Sequence, residues 1–371
     1  MKAAVVIGTG LIGTSVALAL SRRGVTVYLN DINGSAALTA EAMGAGICRL
    51  PDETVDLAVL AVPPGKTSEV LAAAQRAGLA LAYTDVASVK ARPYSELDSA
   101  GADRSRYIGG HPLVGAEGSG PIAGRGDLFE GRPWVLTPSA HSNQDVLNRV
   151  LELVWLCSSV PVVMDSRDHD SAVALTSHAP HILASLMAGR LAEATEQSLR
   201  ICGQGLRNAV RTAGGSPKLW GEILEANAGA VADVLDAYAT DLAQAIKALR
   251  ALGNANPEEC KQAADLLDEI LTRGNRGLIR VAPGSGQHDL ARVPAIIPDQ
   301  PGALAELFAA VRDAGMNIED VRIKHSSDRP RGFVELFVAR ASAVKLSRLL
   351  DDAGWFAPAS PPPAVEPGPG A

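Results

Sequence analysis

Aromatic side chains make up only 4% of the 371 residues. So thin a supply argues against a surface on which successive bases stack. Positive charge is also short: 34 Lys and Arg stand against 41 Asp and Glu, for a net charge of −7. A nucleic-acid footprint wants a basic face, so no nucleic-acid partner is expected. Cysteine is scarce and scattered, at Cys48, Cys157, Cys202 and Cys260. With no CxxC pair, neither a zinc knuckle nor a dithiol redox centre is encoded. Isolated thiols suit a reducing cytoplasm, where they serve mostly as small buried apolar groups. No uninterrupted apolar run reaches the roughly twenty residues of a membrane span, so no membrane is expected. The nearest approach, Lys2 through Leu20, looks like a signal peptide. Glycines at 8, 10 and 13 break it, and a strand, a turn and a helix account for every residue.

What is present is an ordinary globular balance, 47% apolar and 20% charged, in a chain too long for one typical core. Residues 1–164 alternate short apolar runs with helical periodicity. Strands are predicted at 3–7, 26–30, 57–61, 80–85, 107–109 and 134–137, with helices such as 11–23 and 66–77 between them. That alternation implies βαβ units and a mostly parallel, Rossmann-type sheet in an α/β fold. Residues 165–283 read as all-α, with Ala- and Leu-rich stretches at 172–198, 218–251 and 257–273. Their apolar surface exceeds what one chain buries, which suggests a homodimer interface. Gly284-Ser285-Gly286-Gln287 reads as a linker. Residues 288–356 read as a C-terminal α+β module of βαββα(β) type. The Pro- and Ala-rich tail, 357–371, is expected to be disordered.

Val5-Val6-Ile7 runs into Gly8-Thr9-Gly10-Leu11-Ile12-Gly13 and then an apolar helix. A lone GxGxxG is weak, but strand, helix and a following acid are all in place here. The glycines allow a tight turn and close approach of a pyrophosphate, and the helix N-terminus supplies N–H groups. Asp31 follows the second strand where a ribose-binding carboxylate belongs. Its charge would repel a 2′-phosphate, and no Arg stands in Ile32-Asn33-Gly34-Ser35, so NAD is favoured over NADP. The alternative is an Asp that caps the next helix. Val62-Pro63-Pro64 ends a strand where a dinucleotide would cross the sheet. Ser88, in Asp85-Val86-Ala87-Ser88-Val89-Lys90, could touch both nicotinamide and substrate, or simply cap a helix.

The second feature is Gly109-Gly110-His111-Pro112-Leu113-Val114-Gly115, followed by Glu117, Ser119 and Gly120. It puts an imidazole on a glycine-rich turn just past an apolar segment. A dinucleotide fingerprint plus such a histidine suggests hydride transfer assisted by a base, although His111 could also be a mere turn residue. His178 and His181 lie on either side of Pro180. With no third ligand nearby in sequence, no metal is expected. His169, between Asp168 and Asp170, reads as a cap at a helix start. Arg207 and Arg211 stand at i, i+4 in a possible helix.

In this order the motifs resemble the prephenate/arogenate dehydrogenase family over most of residues 1–280. The matching runs are GTGLIGTSVALAL, DVASVK, GGHPLVGAEGSG, HDSAVALTSHAPH and GLRNAVRTAGGSPKLW, with a later Asn227. The C-terminal run DQPGALAELFAAVRDAGMNIEDV resembles an ACT domain, an amino-acid sensor. The resemblance implies oxidative decarboxylation of a cyclohexadienol with NAD. It makes His111 the catalytic histidine and Ser88 the serine that orients it. It makes Arg211 the clamp on a substrate carboxylate, His178 a substrate contact and Glu117 an acid at the mouth of the site. Gly8, Gly10, Leu11, Ile12, Gly13, Asp31, Val62 and Pro63 would hold the cofactor. Asp299, Gly302, Asn317 and Ile318 would bind an effector, tyrosine first. Asn208 and Ala209 depart from the family pattern, which more often has an acid and a threonine or isoleucine around the two arginines. The leading expectation is a cytoplasmic, homodimeric prephenate dehydrogenase. Arogenate, dual cyclohexadienyl or amino-deoxy-prephenate dehydrogenase are the related alternatives. An idle NAD-binding amino-acid sensor is the alternative from another class.

Overall fold

Strand β1 (Ala3–Ile7) is buried along its middle because helices cover both faces of the sheet around it. The computed structural model describes residues 1–115, 118–253, 256–281, 290–298, 303–318, 320–325 and 331–355. Glu117, the Gly284–Gln287 linker, Asp299, Gly302 and the tail 357–371 lie outside the described residues.

The chain continues through α1 (Leu11–Arg22), β2 (Thr26–Asn30), α2 (Gly34–Ala42), β3 (Val55–Leu60), α3 (Thr67–Arg76), β4 (Ala80–Asp85) and α4 (Ala91–Ala100). Then come β5 (Tyr107–Pro112), β6 (Pro133–Thr137), α5 (Gln144–Leu156) and β7 (Val160–Val163). They build a seven-stranded sheet in the order β2-β1-β3-β4-β5-β6-β7, parallel except where β5 meets β6. Val6, Val27, Leu57 and Ile108 pack into the core on one face, and Val5, Ala58, Leu60 and Tyr83 into the core on the other. Burial on both faces explains why these strands read as continuous apolar runs rather than alternating ones. The edge strand β7 escaped the sequence reading. Val160 and Val163 are exposed, and Pro161 lacks a ladder donor.

From β1 the chain moves to β2 on one side, and β3 returns on the other. The crevice outside the carboxyl ends of β1 and β3 is therefore the switch point where such sheets bind ligands.

Six helices and two turns follow: α6 (Ser166–Val173), a π-helical turn (Ala174–His178), α7 (Ala179–Ala192), α8 (Glu196–Arg200) and α9 (Gln204–Val210). A short 3-10 turn (Arg211–Gly214), α10 (Pro217–Ala226) and α11 (Ala228–Ala251) come next. The compact units are Met1–Thr240 and Asp241–Ala371. Polar contacts hold the early helices on the sheet. Both Asp170 oxygens accept backbone N–H groups at the start of α4, and Arg92 pairs with Glu225.

In the second unit, α12 (Pro257–Val281) leaves Leu271, Leu278 and Ile279 exposed. β8 (Leu290–Pro298), α13 (Ala303–Asp313), β9 (Asp320–His325), β10 (Arg331–Ala339) and α14 (Arg340–Asp352) then form a small α+β layer. Its antiparallel sheet runs β8-β10-β9 over a core that includes Val293, Ile297, Leu307, Val334, Leu336 and Leu346. Ile318 precedes β9 rather than starting it, and packs against this core. Ile296 N–H donates to Trp355 O at 2.8 Å, so the chain past α14 returns along β8. Among the described residues, no helix is long and apolar enough to cross a membrane. Of the four cysteines, Cys157 is buried. The other three are partly exposed rather than core groups.

Candidate active site

The turn after β1 is shaped by what it cannot hold. Gly8 has φ of +100°, and a Cβ there would lie 2.2 Å from Ala61 O. A Cβ on Gly13 would lie 1.9 Å from Gly8 O, so helix α1 can approach the turn this closely only without a side chain. Gly10 differs, with nothing within 4 Å of an added Cβ. It is the N-cap of α1 and has no side-chain cap, so no side chain occupies the N–H groups of the first turn. This open, glycine-lined helix start suits a pyrophosphate. Val62 is half-buried and Pro63 exposed at the end of β3, beside the turn.

Asp31 does not cap α2. Asn33 does, through a side chain that accepts from Ser35 N–H. The Asp31 carboxylate accepts Thr9 N–H at 2.6 Å, Thr9 Oγ1–H at 2.9 Å and Asn33 N–H at 2.8 Å. A carboxylate has about four lone-pair sites, so acceptor capacity remains for a ribose hydroxyl.

His111 is not on a turn. It lies within β5, opposite Val135 of β6, because the ladder continues through Gly109-Gly110 to Pro112. Since β4 and β5 are parallel, His111 sits toward the same sheet edge as the glycine turn. Its backbone is held close to the neighbouring strands. A Cβ on Gly110 would lie 2.5 Å from Asp85 O. His111 Nδ1 is 2.8 Å from His169 Nε2, and His169 Nδ1 is 2.8 Å from Asp170 Oδ1. Burial pushes the His111 imidazole well below its usual 6.5, and His169, Lys90 and His178 add to the shift. The ring is neutral at physiological pH.

His169 is therefore not a helix cap. Asp165 caps α6, accepting Arg167 N–H at 2.8 Å, while His169 is fully buried. Ser88 lies half-buried in the bend after β4, and it is not a cap either, since α4 begins after Lys90 without a side-chain cap. Below that bend, Lys90 Nζ and Asp85 form an ion pair with no solvent exposure. Asp85 also accepts from Tyr107 OH, and from Ala87 N–H at 2.7 Å. Desolvation lowers the Lys90 pKa, with Asp85 and Asp170 opposing it. These contacts tie both ends of the Ser88 bend, Asp85 and Lys90, to one another.

His178 ends the π-helical turn and is buried. Single π turns are frequent at functional sites. Burial, set against the opposing charge of Asp170, lowers His178 to about 4, so it too is neutral. Asn227, between α10 and α11, donates from Nδ2 to Asp170 O at 2.8 Å and lies 3.2 Å from His178 Nδ1. Trp220 meets His178 edge-on and stacks on His181 at 3.6 Å. Arg211 is exposed and opens the turn after α9, so it does not share that helix with Arg207. The turn packs on α7, and the Thr212 backbone hydrogen-bonds His181, which brings the Arg211 segment beside the two histidines. Glu117 lies outside the described residues. Among the described residues no group of three His, Cys, Asp or Glu could hold a metal ion.

The sequence reading missed His169 and Asp170. Their signal was polar residues on an apolar helical face: Asp170, Ala174 and His178 follow one another at i+4, and all are buried.

A dinucleotide cradle and a neutral buried imidazole share one sheet edge, with helical residues packed beside them, and this defines a nucleotide-dependent dehydrogenase with a two-part site. The chain belongs to the prephenate dehydrogenase family. Residues 16–163 match that family's nucleotide-binding domain and residues 165–272 its dimerization domain. It is 42% identical to the probable prephenate dehydrogenase NovF of Streptomyces niveus, over 96% of this chain and 99% of that one. It is 32% identical to the cyclohexadienyl dehydrogenase of Zymomonas mobilis, over 64% of this chain and 85% of that one. In fold it is similar to the prephenate dehydrogenase of Aquifex aeolicus in complex with hydroxyphenyl propionate and NAD+. There the TM-score is 0.64 at 24% identity, covering 74% of this chain and 98% of that one.

Proposed function

We propose that this chain is an NAD-dependent prephenate dehydrogenase that forms 4-hydroxyphenylpyruvate, CO2 and NADH. The observation that carries the reading is His111, buried, neutral and hydrogen-bonded to His169 at the edge of the sheet that bears the glycine cradle. Bound NAD supplies the acceptor for the hydride that leaves C4 of the ring. His111 accepts the proton of the C4 hydroxyl as the carbon–hydrogen bond breaks. The bond to the ring carboxylate then breaks, and its electron pair aromatises the ring to a phenolate. His111 returns the proton to that oxygen, so no proton is gained or lost overall. Arg211 suits a carboxylate through its guanidinium fork. His178, whose Nδ1 faces the Asn227 amide, is left with an Nε2–H to donate to the substrate. Ser88 contacts nicotinamide and substrate, and Asp31 holds the ribose hydroxyls.

Exposed Leu175, Leu186 and Met187 in the first unit, and Leu271, Leu278 and Ile279 in the second, support a homodimer built on the helical region. The C-terminal layer has the order β-α-β-β-α among the described residues, and Trp355 O accepts from Ile296 N–H of β8. That supports an ACT-type module, with Asn317 and Ile318 at an effector site for tyrosine. Four scattered cysteines with no CxxC pair suit a cytoplasmic protein. The test is NADH formation with prephenate and with arogenate under identical conditions. A higher kcat/KM for prephenate supports the reading. Preference for arogenate moves the assignment to the sister activity, and no NADH with either substrate refutes it.

A further inference from the structure

Two imidazoles that share one hydrogen bond cannot both donate to it. The tautomer of each ring is therefore set by what holds the far end of the chain. That end is Asp170. Its Oδ1 accepts Lys90 N–H and its Oδ2 accepts Ala91 N–H, each at 2.8 Å. With both oxygens turned to donors, Asp170 meets His169 Nδ1 as an acceptor, so His169 donates from Nδ1. With its proton on Nδ1 toward Asp170, His169 can offer the Nε2 lone pair as the acceptor of the 2.8 Å contact; His111 then donates from Nδ1 and keeps its own lone pair on Nε2.

We propose that His169 and Asp170 are positioning residues that hold His111 as its Nδ1–H tautomer, with Nε2 presented to the substrate hydroxyl. The inference deepens the dehydrogenase reading above and rests on it for the identity of the hydroxyl. The relay is well anchored. His169 is fully buried, its ring meets His111 edge-on with centroids 5.1 Å apart, and Asn227 holds the Asp170 carbonyl at 2.8 Å. A base whose ring is oriented by a second group, itself oriented by a carboxylate, is a recurring catalytic device. Here the orienting group comes from a helix 58 residues further along the chain.

Two measurements test this. The first is two-bond nitrogen–proton NMR on the 15N-labelled full-length protein at neutral pH. The His111 signal is identified by its loss in His111→Asn. The expected result is a protonated Nδ1 and an unprotonated Nε2 on His111. The opposite tautomer overturns the proposal without any need for turnover. The second is kinetic. His169→Phe removes the acceptor and should lower kcat on the order of 100-fold, with the NAD Kd within about twofold of wild type. His169→Gln places a carbonyl oxygen near the position of Nε2 and should recover kcat to within about fivefold of wild type. Equal losses in both variants, each with wild-type NAD affinity, contradict the positioning role. If wild type makes no NADH from prephenate, the functional reading fails, while the tautomer measurement still decides the relay.

Discussion

Asp31 and Thr9 are joined twice: one carboxylate oxygen of Asp31 accepts both the backbone N–H and the hydroxyl of Thr9, at 2.6 and 2.9 Å. The end of β2 is thereby tied to the middle of the glycine turn, and the negative charge is fixed where the adenine ribose would pass. Two consequences follow for Asp31→Ala. Repulsion of a 2′-phosphate disappears, so the ratio of kcat/KM for NAD over NADP should narrow. The turn also loses two hydrogen bonds, so the KM for NAD itself should rise. Steady-state kinetics with both cofactors reads each effect. Equal kcat/KM for the two cofactors in wild type would remove Asp31 from cofactor selection.

The Arg211 segment is brought beside the histidines by the turn that packs on α7. Arg211→Ala should raise the substrate KM and leave the NAD KM nearly unchanged. Loss of a charge-assisted carboxylate contact costs about 1.5–3 kcal/mol, or roughly 10- to 100-fold in KM. Unchanged substrate KM with a lowered melting temperature would make Arg211 structural and leave the carboxylate clamp unassigned.

The C-terminal layer has its own core and should act as a sensor. Tyrosine should bind the full-length chain and lower its activity, and it should bind a chain ending at Gly284 much more weakly. Isothermal titration of both proteins compares them directly. Equal binding by the two would put any inhibition at the active site, where tyrosine resembles product.

Much of the sheet was legible because its strands are buried on both faces and therefore stand out as apolar runs. Ala3–Ile7, Thr26–Asn30 and Ala80–Asp85 appear with the bounds their composition predicts. β7 was not legible, since VPVV is a short, mostly exposed edge strand and Pro161 in it lacks a ladder donor. The cradle was visible because glycine spacing reports a steric requirement directly. His111 was visible as a residue but not as part of a strand, because Gly109-Gly110 looks like a turn. Close packing is the true reason for those glycines. At Gly110 there is no room for a Cβ beside Asp85 O. The relay was hidden because its members, 58 residues apart, meet only when α6 packs on the sheet. Spacing along a chain reports helical faces but not which face meets which strand.

The central claim is that a neutral, buried His111 takes the hydroxyl proton, and the most direct measurement is the pH dependence of kcat for wild type beside the turnover of His111→Asn. The imidazole is active when unprotonated, and its folded pKa lies well below 6.5, so activity is lost only as pH falls through that depressed value. The account predicts a wild-type kcat that stays level from neutral pH down through 6.5 and declines below it. It predicts a fall in kcat of about two orders of magnitude or more in His111→Asn, with NAD affinity little changed. Near-wild-type turnover in His111→Asn would contradict it.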